Sequence, residues 1–133
     1  MWRSLVAWVV LGVAGCASQS DAQALADLEA RATSCGDIDD GCVADADPSG
    51  VANCMNHALE IDELATTVWT DPSGRGTIHL FVDNNEAREF DDRRGTSGGV
   101  TEAWSCPSPT AFDVSTETVC NDTVAVLTVP GCF

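Results

Sequence analysis

Three rhythms of hydrophobic and polar residues follow one another along the chain. Residues 5–14 are uncharged and mostly apolar without a break. From Ser20 the apolar positions recur at helical spacing, and from Leu64 onwards they alternate with period two. A helix stacks every third or fourth side chain on one face, whereas a strand sends successive side chains to opposite faces. The change of period therefore predicts helices first and strands afterwards.

The first helical segment opens at Ser20-x-x-Gln23, a capping box in which each side chain accepts an N–H that the helix start leaves orphaned. Ala22, Leu25, Ala26, Leu28, Ala30 and Ala32 follow, and Gly36 predicts a stop near Ser34. Residues 36–50, GDIDDGCVADADPSG, are acidic and turn-rich and read as a loop closed by a disulfide. Asp47-Pro48 starts a second helix, with Asp as N-cap and Pro at the first helical position. Val51, Cys54, Met55 and Ala58 give this helix an apolar face as far as about Leu59.

The sheet half begins with residues 64–70, LATTVWT, rich in β-branched side chains. DPSGRG is a turn signal, and residues 77–83 alternate Ile78, Leu80 and Val82 with His79 and Phe81. Asn84-Asn85 predicts a turn, residues 87–92 a weak strand around Phe90, and residues 99–106 a further strand. Residues 106–117 hold two prolines and read as irregular; a last strand covers residues 122–129. The expected fold is α+β: two N-terminal helices followed by an antiparallel meander of four or five strands, disulfide-stapled, with the second helix on one face. Trp69 and Phe81 either fill the core or, if they share the face away from that helix, form an exposed aromatic patch that binds a partner protein.

Cysteine changes this picture most. Of seven cysteines, Cys16 stands apart at the end of the apolar run. A membrane-spanning helix needs roughly 20 apolar residues, so this run is too short to span. With Arg3 ahead of it, it fits the core of a secretion signal. It closes on Val13-Ala14-Gly15-Cys16, which resembles the lipobox of bacterial lipoproteins: a branched aliphatic residue, two small residues and a cysteine. The resemblance implies a leader over residues 1–15, cleaved before Cys16. It also implies palmitate-type acyl chains on the Cys16 sulfur and acylation of the new amino group. Two or more chains make a stable anchor where one is marginal. Residues 16–20 then tether a single domain, residues 21–133, to the cell envelope. Ala17 rather than Asp after the lipidated cysteine points to the outer membrane over the inner one.

Export also decides the other cysteines. Cys35, Cys42, Cys54, Cys106, Cys120 and Cys132 are an even set bound for an oxidising compartment, so three disulfides are expected, with the pairing left open. Three lie early and three late, so at least one bridge crosses between the groups if all six pair. With no Cys-x-x-Cys, and only His57 and His79 to add nitrogen, a zinc site is not expected.

Charge excludes one class of partner. The formal net charge is −15, and −16 once Arg3 leaves with the leader, which disfavours nucleic acid. Arg88, Arg93 and Arg94 are expected to pair with Glu89, Asp91 and Asp92. Asp45, Asp47, Ser49 and Gly50 resemble positions one, three, five and six of an EF-hand calcium loop, but the twelfth position is Asn56 where that loop carries a bidentate Glu. No Gly-x-Ser-x-Gly or His-Glu-x-x-His is present, so no enzyme is expected. The helix around Asn53-Cys54-Met55-Asn56-His57, the following sheet and the late cysteines resemble uncharacterised cysteine-containing secreted bacterial lipoproteins, a resemblance that implies no activity. The expectation is a non-catalytic envelope module, without cofactor, that binds another envelope protein. The alternative is calcium or a small ligand held on the acidic loop, residues 37–50.

Overall fold

The computed structural model describes residues 20–40, 43–44, 47–71, 75–96, 98–119 and 121–132. Cys16, Cys42, Asp45 and Cys120 lie outside the described residues, and with them the expected lipidation site and part of the candidate calcium loop.

Helix α1 (Asp21–Arg31) starts on the expected capping box: Gln23 N–H donates to Ser20 Oγ and Ser20 N–H to Gln23 Oε1, both at 3.2 Å. It stops short of Ser34. Ala32 is already extended, and Thr33 N–H donates to the Leu64 carbonyl at 3.0 Å. Residues after it become strand β1 (Thr33–Asp37), in the stretch expected to finish the helix and open a loop. Gly36, at φ 100°, sits where the β1 register shifts. The acidic segment then makes a minimal hairpin, β2 (Asp39–Asp40) and β3 (Val43–Ala44). Helix α2 (Pro48–Glu60) begins as predicted, with the Asp47 carboxylate accepting Ser49 N–H at 3.2 Å and Pro48 in the first turn.

Strands β4 (Ala65–Thr70), β5 (Thr77–Asp83), β6 (Glu86–Asp92) and β7 (Val100–Pro107) form the expected antiparallel meander. Asn84 and Asn85 turn β5 into β6 at φ 51° and 62°, a left-handed pair that asparagine tolerates in a tight hairpin. The sheet is nevertheless mixed, because β1 joins its edge parallel to β4, giving the order β1-β4-β5-β6-β7. The stretch expected to be irregular holds strand β8 (Asp113–Val119), which pairs with β9 (Asp122–Thr128) in a separate two-stranded hairpin. Both prolines, Pro107 and Pro109, precede β8 rather than interrupt it. Two disulfides are present among the described residues, Cys35–Cys54 between β1 and α2, and Cys106–Cys132 between β7 and the chain end.

The sheet is covered on both sides. On one face Ala65, Trp69, Ile78, Leu80, Val82 and Ala87 pack with Val51, Met55 and Ala58 of α2 and with Val126 and Leu127 of the hairpin. On the other, Phe81 and Phe90 meet Leu25 and Leu28 of α1. Burying each of those leucines contributes about 1.5–3 kcal/mol, which is why α1 lies on a face expected to stay open. The Phe81 and Phe90 rings meet edge-to-face, 5.8 Å between centroids. This corrects the aromatic patch. The register pairs Trp69 with Ile78 and Thr66 with Phe81, so Trp69 and Phe81 point to opposite faces, and they are 3% and 0% exposed.

Polar clasps fix the layers. Asp21 accepts the Glu102 N–H of edge strand β7 at 3.0 Å. Asn56 Nδ2 donates to the Phe112 carbonyl at 3.0 Å, and its Oδ1 accepts Phe112 N–H at 2.7 Å, which fastens the lead into β8 onto α2. Among the described residues no helix is long and apolar enough to cross a membrane.

Candidate functional site

Strand β6 carries the site. Ala87, Glu89 and Asp91 alternate with Arg88, Phe90 and Asp92, so one set faces the hairpin side of the sheet and the other faces α1. The register sets Glu89 between Leu80 of β5 and Trp104 of β7, and Asp91 opposite Ile78. Two carboxylates thus stand beside core residues, Glu89 next to Leu80 and Asp91 next to Ile78.

They are accommodated because hairpin β8–β9 does not close completely over this end of the sheet. A cavity of about 290 Å³ remains between them. Trp69, Ile78, Leu80 and Trp104 supply its apolar walls from the sheet, and Leu127 and Val129 from the hairpin side. Its charged lining is Asp71, Glu89, Asp91, Arg93 and Glu117. Gly76, the last residue before β5, is held close: a Cβ there would meet the Asp92 carbonyl oxygen at 2.3 Å.

The arginines neutralise this lining only in part. Arg88 lies on the α1 side, 2.8 Å from Glu102, and stacks 5.2 Å from the Phe90 ring centroid. Arg94 takes Asp92 at 2.8 Å, the one expected pairing that forms. Arg93 reaches back to Asp71 at 3.0 Å. Glu89 and Asp91 make no salt bridge among the described residues.

The consequence is electrostatic. Burial pushes the Glu89 carboxyl up to about 7, reinforced by the negative charges of Asp91, Glu117 and Asp71. A hydrogen bond from the Trp104 indole pulls the other way. Asp91 is also raised, by burial first and by Asp71 second, while Arg93 opposes. Asp91 Oδ1 is shut off from solvent and accepts no hydrogen bond from the described residues. Around neutral pH Glu89 is therefore shared between its acid and its carboxylate form.

The other candidates resolve differently. His79 lies on the α1 face, its Nδ1 3.0 Å from Glu29 and its Nε2 3.2 Å from the Thr77 hydroxyl. Burial lowers its pKa, with Glu29 and Asp92 opposing. It joins α1 to the sheet, away from the cavity. On the acidic loop, Asp39 is buried and accepts both the backbone N–H of Thr70, at 2.8 Å, and the Thr70 hydroxyl. Asp47 is engaged as the cap of α2 with Ser49 N–H, and Asn56 is turned to Phe112. Among the described residues no three His, Cys, Asp or Glu side chains gather as metal ligands would. No motif in the sequence marks Glu89 and Asp91 as a pair. The signal available was the strict alternation of Ala87, Glu89 and Asp91 against Phe90, once β6 is known to be buried on both faces.

No family model matches the chain, and neither a curated protein nor a solved structure matches it.

Proposed function

We propose that the chain is a bacterial envelope lipoprotein, anchored through Cys16, whose domain is a non-catalytic module that takes a small organic ligand into the cavity between sheet and hairpin. The observation that carries this reading is the cavity: about 290 Å³, walled by two indoles and aliphatic side chains with a few charged groups at fixed positions. A concave space with apolar walls and convergent charged groups is where a small ligand is expected, and this one is more charged than most. Docking of a partner protein through Trp69 and Phe81 loses its surface, since both are buried. The small-ligand alternative therefore leads, moved from the acidic loop to the cavity. Anchoring rests on the lipobox, Val13-Ala14-Gly15-Cys16, and Ala17 favours the outer membrane.

Two measurements test it. Expressed in an exporting bacterium, the full chain is expected in the membrane fraction, with the mass of a chain cut before Cys16 plus acyl groups. Cys16→Ser is expected to carry no acyl groups and to keep its leader, because cleavage depends on the lipidated cysteine. An unprocessed mass for the unsubstituted chain overturns the anchor. For binding, the leader holds Trp2 and Trp8, so Trp69 and Trp104 are the only tryptophans of the processed chain, and both line the cavity. A small ligand that shifts their fluorescence saturably and is recovered unchanged supports the module. A ligand that is consumed, with Glu89→Gln abolishing its consumption, overturns the non-catalytic reading.

A further inference from the structure

We infer that the cavity selects an organic cation, a primary or quaternary ammonium carried on a short apolar stem. The inference rests on the small-ligand reading above and names the class of ligand. Four carboxylates line the cavity, Asp71, Glu89, Asp91 and Glu117, against one guanidinium, Arg93. Arg93 is committed to Asp71 at 3.0 Å. The remaining three carboxylates come from two different layers, Glu89 and Asp91 from β6 and Glu117 from β8, so they converge on the space from opposite walls. Asp91 Oδ1 is closed off from water and accepts no hydrogen bond from the described residues, so the negative charge of this carboxylate beside the cavity is poorly compensated. Bringing negative groups together in a partly dry site is unfavourable until a positive charge enters.

The shape decides which kind of cation. A bare metal ion needs several oxygens within one coordination sphere, and no such group gathers among the described residues. The space is also much larger than one ion, and apolar side chains line it from both layers, Ile78 and Leu80 from the sheet and Leu127 and Val129 from the hairpin side. An alkyl stem fits between them. Indole is the aromatic ring that attracts ammonium groups best, and Trp69 and Trp104 both line the wall. A neutral sugar would use the indoles but would leave the carboxylates uncompensated.

Proton linkage gives the signature. The groups that face Glu89 are Asp91 on its own strand, Trp104 on β7, Glu117 on β8 and Asp71 beyond β4. A cation favours the ionised form of Glu89, so binding releases protons near neutrality and strengthens as pH rises through about 7. If the ionised form alone binds, the apparent affinity follows its population, and the gain from pH 5.5 to pH 8 is about tenfold or more.

The test is a titration of the processed, lipidated chain in detergent, read by tryptophan fluorescence and by calorimetry. The probes are tetramethylammonium, 1,4-diaminobutane and, as a neutral control, methyl glucoside. The expected result is saturable binding of an ammonium probe, about tenfold tighter at pH 8 than at pH 5.5, with proton release at pH 7. Glu89→Gln should weaken it at pH 8 and flatten the pH profile. Glu117→Gln, an exposed change on the hairpin that does not threaten folding, should weaken it several-fold as well. Binding of methyl glucoside but not of the amines overturns the cation inference and leaves the binding module standing. Amine binding that neither variant weakens places the ligand elsewhere and overturns it too. If neither class of probe binds the folded chain, both readings fall.

Discussion

Replacing Glu89 by Gln should make the protein more stable, and only above a certain pH. The carboxyl is raised from about 4.5 to about 7 in the folded chain. Between those values the native state holds a proton that the unfolded chain has lost. The contribution of Glu89 to native stability is therefore full below about 4.5 and falls as pH climbs to about 7, after which the loss is complete. At about 1.4 kcal/mol per pH unit the full shift would correspond to ~3 kcal/mol. Glu89 borders an open cavity, so solvent screening reduces this to ~1–2 kcal/mol. Gln keeps the shape and an oxygen that can accept from Trp104, and it removes the charge that also burdens Asp91. The expected outcome is a gain of ~1–2 kcal/mol at pH 8, several degrees in Tm, and a difference within ~0.5 kcal/mol at pH 5. Urea unfolding of both proteins at each pH, with the disulfides intact, measures it. The double difference removes the general self-repulsion of a chain this acidic, since both proteins share it. A variant that loses the same stability at both pH values, or one whose effect does not change with pH, would refute the reasoning.

The remaining predictions concern how the layers are held. Serine pairs replacing Cys35–Cys54 or Cys106–Cys132 open loops with separations of 19 and 26 residues, and each should lower the unfolding free energy by about 3 kcal/mol, read from the urea midpoint. With those four cysteines paired, Cys42 and Cys120 are the two left of the downstream six. Peptide mapping of unreduced protein should join them and so supply the bridge between the early and late halves, whereas alkylation of either in the native protein refutes it. Asp39→Ala removes two hydrogen bonds to Thr70 and should cost ~2–3 kcal/mol, with Asp39→Asn losing less because its amide oxygen still accepts. Asp47→Ala should cost ~1 kcal/mol as a lost helix cap, equally with and without millimolar calcium. A loss that appears only when calcium is present would put the ion back on the acidic loop.

What could be read from the sequence was what neighbours in sequence decide. The caps at Ser20 and Asp47 depend on residues two or three places on, and both formed. The alternation of β5 and the Asn84-Asn85 turn are local in the same sense. β1 was invisible because Thr33-Ser-Cys-Gly-Asp has no apolar alternation; it is a strand because β4 offers it a parallel edge and Cys54 holds Cys35 beneath α2. β8 hid behind Pro107 and Pro109, and it becomes legible only when β9 is laid beside it. Trp69 and Phe81 are each half of a correct alternation, but their common face depended on a register that places them an odd step apart.

Glu89 was hidden by a different rule. A carboxylate reads as a surface residue, and in so acidic a chain the surplus of charge has a sufficient explanation in solubility. Part of that surplus is instead gathered inward, at Glu89 and Asp91, in rows where Leu80 and Ile78 would predict another apolar side chain. A carboxylate kept there only for the fold would leave the protein weaker when neutralised. The charge balance around Glu89 argues the reverse: neutralising it relieves the fold and removes the reason for the cavity to take a cation. Stability and binding should thus move in opposite directions in the same variant, which is the pattern of a site kept for function at some expense to the fold.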